Sequence, residues 1–240
     1  MATYAFIHGA GDSSWHWHLV AAELRARGHD VVAPDLPCDD DSAGLTEYAD
    51  TVVDAIGGRG DLVLVAQSFG AFTAPLVCDR VPVGLVVLLA GMVPAPGEPP
   101  EDWPAGTGLG QALREQSERG GKPPDDIALF MHDVPPDLAA EALRRERGQS
   151  ATPGTRPWPL RAWPDVPTRF LLCRDDRLFP AEFLRRVVRE RLGITPMRST
   201  AATASPSAAQ GARRPSGGVP RRAVAVGCRR RGRPGSAAAC

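Results

Sequence analysis

The chain has 240 residues, 43% of them hydrophobic, with 28 Lys and Arg balanced by 28 Asp and Glu. That length suits one core-bearing domain, and no apolar stretch approaches the roughly 20 residues a membrane-spanning helix needs. The balance is uneven: residues 197–240 hold nine arginines and no Lys, Asp or Glu, which leaves 19 basic against 28 acidic side chains in residues 1–196.

An acidic domain therefore precedes a basic tail. The tail has no aromatic residue and no motif around its arginines, which argues against a nucleic-acid arm. Met1–Ile7 lacks a basic n-region and a cleavage signal, so a cytoplasmic location is the expectation. Cys38, Cys78, Cys173, Cys228 and Cys240 follow no spacing pattern, so free thiols are expected rather than disulfides or a zinc site.

Thr3–His8 reads as a strand ending in the turn Gly9-Ala10-Gly11. Trp15–Arg27 has helical spacing and stops at Gly28. A short strand at Asp30–Pro34 and an amphipathic helix at Leu45–Ile56 follow. Leu62–Ala66 is a strand, Ala71–Asp79 a helix, and Val83–Leu89 an almost wholly apolar strand. Continuous apolar strands separated by helices imply a parallel, doubly wound sheet covered on both faces.

Residues 92–160 are rich in proline, with helical pieces such as Pro136–Arg147, and read as a helical cap inserted over the sheet. The sheet pattern resumes at Pro167–Cys173, and a helix at Ala181–Leu192 follows Asp175-Asp176-Arg177. Residues 1–196 thus form one α/β domain. Residues 197–240, poor in large apolar side chains, read as a disordered tail.

The chemistry centres on Ala66-Gln67-Ser68-Phe69-Gly70, where an apolar strand meets a serine and passes into helix-compatible sequence. This is the pattern of a nucleophile elbow, a sharp turn that presents a serine hydroxyl. Such a hydroxyl needs a base to take its proton and donors to hold the oxyanion. The Phe69 N–H, at the start of the next helix, and the Ala10 N–H, in the His8–Gly11 loop, are the candidate donors. The acid is expected after a late strand, which selects Asp176, with Asp175 as a solvent-facing neighbour or an end cap of the strand. The histidines are His8, His16, His18, His29 and His132, and none follows Asp176. His8 reads as structural, His16 and His18 as possible pocket residues, and the triad lacks its base.

Phe6–Gly11, Trp15-His16-Trp17, Gly28–Leu36, the Ser68 elbow and Leu88–Pro94 together resemble the α/β-hydrolase superfamily. More narrowly, they resemble its branch of methyl esterases and hydroxynitrile lyases. The resemblance implies Ser68 as nucleophile, Asp176 as acid, Ala10 and Phe69 as oxyanion donors, and a cap near residues 92–160. Lyases of that branch tend to carry threonine after the loop histidine. Gly9 stands there in this chain, which favours ester hydrolysis over cyanohydrin cleavage. The expected substrate is a small to medium, rather apolar ester, judged from Trp103, Phe130, Met131, Trp158 and Trp163 in or beside the cap. No metal, cofactor or membrane partner is implied. A non-catalytic ligand-binding product is the rival reading.

The resemblance also implies a final strand, a Gly-Gly-His turn and a closing helix, and none is legible after Pro196. The tail composition is what GC-rich coding DNA yields when read out of frame. Back-translated with synonymous codons, Met197–Ala208 read two bases later contains Gly-Gly-His, its histidine codon straddling Ala202 and Thr203. Gln210–Pro220 read one base later gives an amphipathic helical segment. Two single-base losses, near Pro196 and near Ala209, are the expectation, and with them an incomplete hydrolase sheet.

Overall fold

The computed structural model describes residues 1–118 and 129–198. Among these residues six strands form one sheet: β1 (Thr3–Ile7), β2 (Asp30–Val32), β3 (Leu62–Gln67), β4 (Leu85–Leu89), β5 (Thr168–Leu172) and β6 (Met197–Arg198). Their order is β2-β1-β3-β4-β5-β6, and every neighbouring pair is parallel.

The helices are α1 (His18–Ala26), α2 (Leu45–Ile56), α3 (Ala74–Cys78), α4 (Trp103–Thr107), α5 (Leu109–Glu118), α6 (Pro136–Arg144), α7 (Thr152–Thr155) and α8 (Ala181–Leu192). Among the described residues no helix is long and apolar enough to cross a membrane. Cys38, Cys78 and Cys173 are free thiols, and Cys228 and Cys240 lie outside the described residues.

Local chemistry explains the best-defined elements. At the start of α2, the Glu47 carboxylate accepts from the Gly44 N–H at 2.7 Å, satisfying one of the amides that a helix start leaves open. Gly57 ends the helix at φ +56°, a conformation costly for any residue with a Cβ. In β3, buried Leu62, Leu64 and Ala66 alternate with half-buried Val63, Val65 and Gln67. The buried set packs with Val86, Leu88 and Phe170 against α2, α3 and α8, forming the main core.

The opposite face meets α1 through Phe6, Trp17, Ala21 and Val31, with the Phe6 and Trp17 rings stacked at 4.4 Å. Both faces are thus covered, but unequally. Val63, Val65, Val87 and Leu89, on the α1 side, stay only half-buried.

Two departures from the sequence reading bear on the site. The helix expected from Ala71 is preceded by a 3-10 turn over Ser68–Phe72, and α3 begins only at Ala74. The sheet also continues past the expected boundary at 196: β6 pairs Met197 with Leu171 and Arg198 with Leu172. A final strand therefore does follow Pro196. The reading missed it because an edge strand of two exposed residues is held by backbone pairing, not by an apolar pattern. The rest of the tail, including Ala202, Thr203 and Ala209, lies outside the described residues.

The chain runs from β1 to β2 on one side and then crosses to β3 on the other. The loops after β1 and β3 therefore diverge, opening a crevice at the carboxyl ends of these strands. The loop after β1 is His8–Gly11, and the residue after β3 is Ser68.

Candidate active site

Ser68 sits at φ +49°, one of three non-glycine residues with positive φ among the described residues. That conformation costs an L-residue roughly 1–2 kcal/mol, so packing must hold it. Gly70 supplies part of the hold. A Cβ there would lie 2.7 Å from the His8 carbonyl oxygen and 2.8 Å from that of Ile7. Only glycine lets the turn approach the end of β1 so closely. From the other side, the Met92 N–H donates to the Ser68 carbonyl at 3.0 Å. Phe69 lies in the first turn after Ser68, where amides lack intrahelical acceptors, and its ring packs on Phe72 at 5.1 Å.

The Gly9–Gly11 loop is fixed by three anchors. The Gly9 N–H donates to Gln67 Oε1 at 2.9 Å, the Gly11 N–H to Gln149 Oε1 at 3.0 Å, and the Arg147 N–H to the Gly11 carbonyl at 2.7 Å. Arg147 also donates from its guanidinium to the Leu36 carbonyl at 2.7 Å and pairs with Asp39. The far end of the insertion thus straps the loop that carries Ala10.

His8 is buried, with Nδ1 against the Gly9 carbonyl at 2.8 Å and Nε2 accepting from the Leu36 N–H at 2.9 Å. Burial lowers its pKa to about 4, outweighing the Gly9 hydrogen bond and the Asp35 charge. The ring is neutral and structural, as its sequence context indicated.

Asp176 follows β5. Its Oδ1 accepts from the Leu178 N–H at 2.9 Å and the Phe179 N–H at 2.8 Å. Its Oδ2 is buried and has no hydrogen-bond partner among the described residues. Burial raises the carboxyl pKa against the pull of the two amides. Asp175 is exposed and pairs with Arg174 at 2.8 Å.

Ser68, Ala10 and Asp176 line one cavity of about 420 Å³, with Gln67, Met92 and cap residues Leu129, Phe130 and Met131 among its other walls. Phe69 adjoins Ser68 without lining it. A second cavity, of about 910 Å³, lies between α4, α5 and α8 and shares Asp176 with the first.

His16 also faces the first cavity. Its Nδ1 accepts from the Ser13 N–H at 3.3 Å, and its Nε2 lies 3.5 Å from Asp12 Oδ1. Asp12 lines the cavity too, and burial raises its pKa against the opposing His16 charge. His18 instead stacks on Trp15, with Nδ1 at 2.6 Å from the Trp15 carbonyl.

Asp12, Gln67, Glu146 and Arg147 were not singled out from the sequence, although the Asp12/His16 spacing of four was visible there. Conversely, three tryptophans read as pocket candidates belong to packing. The indole N–H groups of Trp103, Trp158 and Trp163 donate to the Val93 carbonyl, the Phe72 carbonyl and Thr168 Oγ1. Among the described residues no group of three His, Cys, Asp or Glu side chains stands close enough together to hold a metal.

A parallel, doubly wound sheet carrying a serine on a strained strand-to-helix turn, beside the crevice at the strand ends, defines the hydrolase class of α/β folds. The model of the Alpha/beta hydrolase family matches residues 5–227, and the chain belongs to that family. Among curated proteins, the chain is 36% identical over 107 residues to a probable esterase of Oryza sativa, covering 40% of this chain and 41% of that protein. It is 24% identical over 216 residues to methyl jasmonate esterase 1 of Vitis vinifera, covering 79% and 74% of the two chains. The chain thus spans about two-fifths of the length of the rice relative. The structure resembles polyneuridine aldehyde esterase, with a TM-score of 0.66, 17% identity and coverage of 88% and 94%. It also resembles a pyrethroid hydrolase of Sphingobium faniae, with a TM-score of 0.69, 22% identity and coverage of 88% and 93%.

Proposed function

We propose that this chain is built for carboxylic ester hydrolysis through an acyl-enzyme on Ser68. The observation that carries the reading is the strained Ser68 turn opening into one cavity with the Ala10 loop and Asp176. Ser68 Oγ attacks the ester carbonyl, the Ala10 and Phe69 amides hold the oxyanion, and Asp176 orients the base. Leu129, Phe130 and Met131 give the acyl or alcohol group an apolar wall, which favours small to medium, rather apolar esters. The names of the relatives, esterases and a methyl jasmonate esterase, point the same way.

No histidine in the sequence follows Asp176, and Asp176 Oδ2 has no partner among the described residues. We therefore propose that turnover is impaired. Without its base, a serine hydrolase keeps only roughly 10³–10⁴-fold catalysis over water. Hydrolysis of p-nitrophenyl acetate should run barely above background. A robust rate abolished by Ser68→Ala would refute the impairment and assign the base to an upstream histidine. Assaying an ester panel beside a cyanohydrin tests the reaction class, and cyanohydrin cleavage without ester hydrolysis would favour the lyase. The out-of-frame tail is a separate proposal. Resequencing the locus tests it, and an unbroken frame verified on both strands would sink it.

A further inference from the structure

We propose that Asp12 and His16 form a specificity subsite of the Ser68 cavity, which binds a hydroxyl carried within a few bonds of the ester carbonyl. The proposal rests on the Ser68 reading above and names its substrate class: esters of short hydroxy acids that also carry an apolar group.

Both side chains line the cavity, yet His16 is only 2% exposed. Its Nδ1 accepts from the Ser13 N–H at 3.3 Å, which leaves the ring hydrogen on Nε2. That Nε2 is buried and has no hydrogen-bond partner among the described residues. Asp12 Oδ1, at 3.5 Å, stands too far away for a good bond. A buried donor left open in this way is costly, and a ligand atom set between the two groups relieves it. Gly9 gives the carboxyl its room beside the loop, since a Cβ there would lie 3.2 Å from Asp12 Oδ2. Asp12 stands two residues beyond Ala10 on the same loop, so a group that it holds lies near the oxyanion position.

The chemistry of the pair selects a hydroxyl. A hydroxyl accepts from the Nε2–H and donates to the carboxylate at the same time. It also suits the other tautomer, in which Nδ1 donates to the Ser13 carbonyl at 3.3 Å and Nε2 becomes an acceptor. A ligand carboxylate would face Asp12 and Glu146 on this wall. The neighbouring cation, Arg147, is already held by the Leu36 carbonyl and Asp39. A ligand ammonium has no lone pair for the Nε2–H. Leu129, Phe130 and Met131 take the apolar part of the ester. The pair binds and orients, and it takes no proton from Ser68.

The test compares the affinity of the full chain for methyl 3-hydroxy-3-phenylpropanoate and for methyl 3-phenylpropanoate by ligand-observed NMR, a readout independent of turnover. The hydroxy ester should bind about tenfold more tightly, as expected for a hydroxyl that meets buried polar partners. Asp12→Ala and His16→Phe should each abolish most of that preference while binding the deoxy ester as the parent does. Ser68→Ala should keep the preference, because the nucleophile is no part of the subsite. Equal affinities, no binding of either ester, or a preference that both subsite variants retain would overturn the proposal and leave the Ser68 reading standing. An equal loss of both esters in the variants would make the pair structural and overturn it too. Tighter binding of the corresponding 3-ammonium ester would assign the pair to cations instead. A preference lost in Ser68→Ala would move the hydroxyl onto Ser68 Oγ and likewise overturn the subsite. The nucleophile assignment is read separately, from acetylation of Ser68 by p-nitrophenyl acetate.

Discussion

Acidification should destabilise this protein through His8, and the size of the effect follows from its surroundings. The imidazole is 1% exposed, accepts from the Leu36 N–H, and has its pKa lowered from 6.5 to about 4 by burial. A group with a depressed folded-state pKa contributes stability that is present above its unfolded pKa. That stability is lost as pH falls through the folded value. The interval from 6.5 to about 4 corresponds to roughly 3 kcal/mol, a sizeable part of a typical domain's 5–15 kcal/mol. Other groups titrate in the same window, so the measurement is a difference. Urea unfolding of the parent chain and of His8→Asn, which cannot protonate there, should be followed from neutral pH down to about pH 4. The parent should lose roughly 3 kcal/mol more than the variant across that interval. Parallel stability curves would refute the burial argument and with it the structural role of His8.

Gly70→Ala forces a Cβ to within 2.7 and 2.8 Å of two backbone carbonyl oxygens. It should cost about 2–4 kcal/mol by urea unfolding, and a cost under about 0.5 kcal/mol would mean that the elbow does not press on β1. Asp176 has its pKa raised chiefly by burial, so its ionisation opposes folding and its stability contribution fades as pH rises above the ordinary carboxylate range. Asp176→Asn should therefore be more stable than the parent near neutral pH, by about 1 kcal/mol for each pH unit of that rise, and the gap should close in acid. An equal gap at both pH values would contradict this. Arg191 and Glu98 are 15% and 13% exposed and form a bidentate pair, with Arg191 also donating to the Val93 carbonyl at 2.7 Å. Arg191→Met leaves the largely buried carboxylate without its cation, with the Ala95 N–H still donating to it, and should cost about 3 kcal/mol. A loss within experimental error would show that the pair does not hold α8 to the base of the insertion.

The sequence exposed whatever is encoded locally. Leu45–Ile56 and Ala181–Leu192 have the expected bounds because their ends are written in short-range chemistry: Glu47 on the Gly44 amide, and Gly57 and Gly193 at positive φ. The strand–serine–glycine pattern likewise located Ser68 at its turn. Long-range contacts stayed hidden. The 3-10 turn after Ser68 depends on Gly70 meeting β1, and the Arg147–Gln149 strap acts through the Arg147 N–H and the Gln149 side chain, more than a hundred residues from their partner loop. Trp103 and Trp158 misled the pocket reading because an aromatic near a cap looks the same whether it lines a cavity or fills a core. The pairing of Met197–Arg198 with β5 was invisible for the same reason, since it rests on partners and not on pattern.

The most direct measurement is peptide mass mapping after the full chain is incubated with p-nitrophenyl acetate and quenched in acid. An acetyl group on the peptide that contains Ser68, absent from Ser68→Ala, is the expected result. Acetylation confined to other residues, or a Ser68 peptide unmodified while the parent consumes ester faster than Ser68→Ala does, would contradict the assignment of Ser68 as nucleophile.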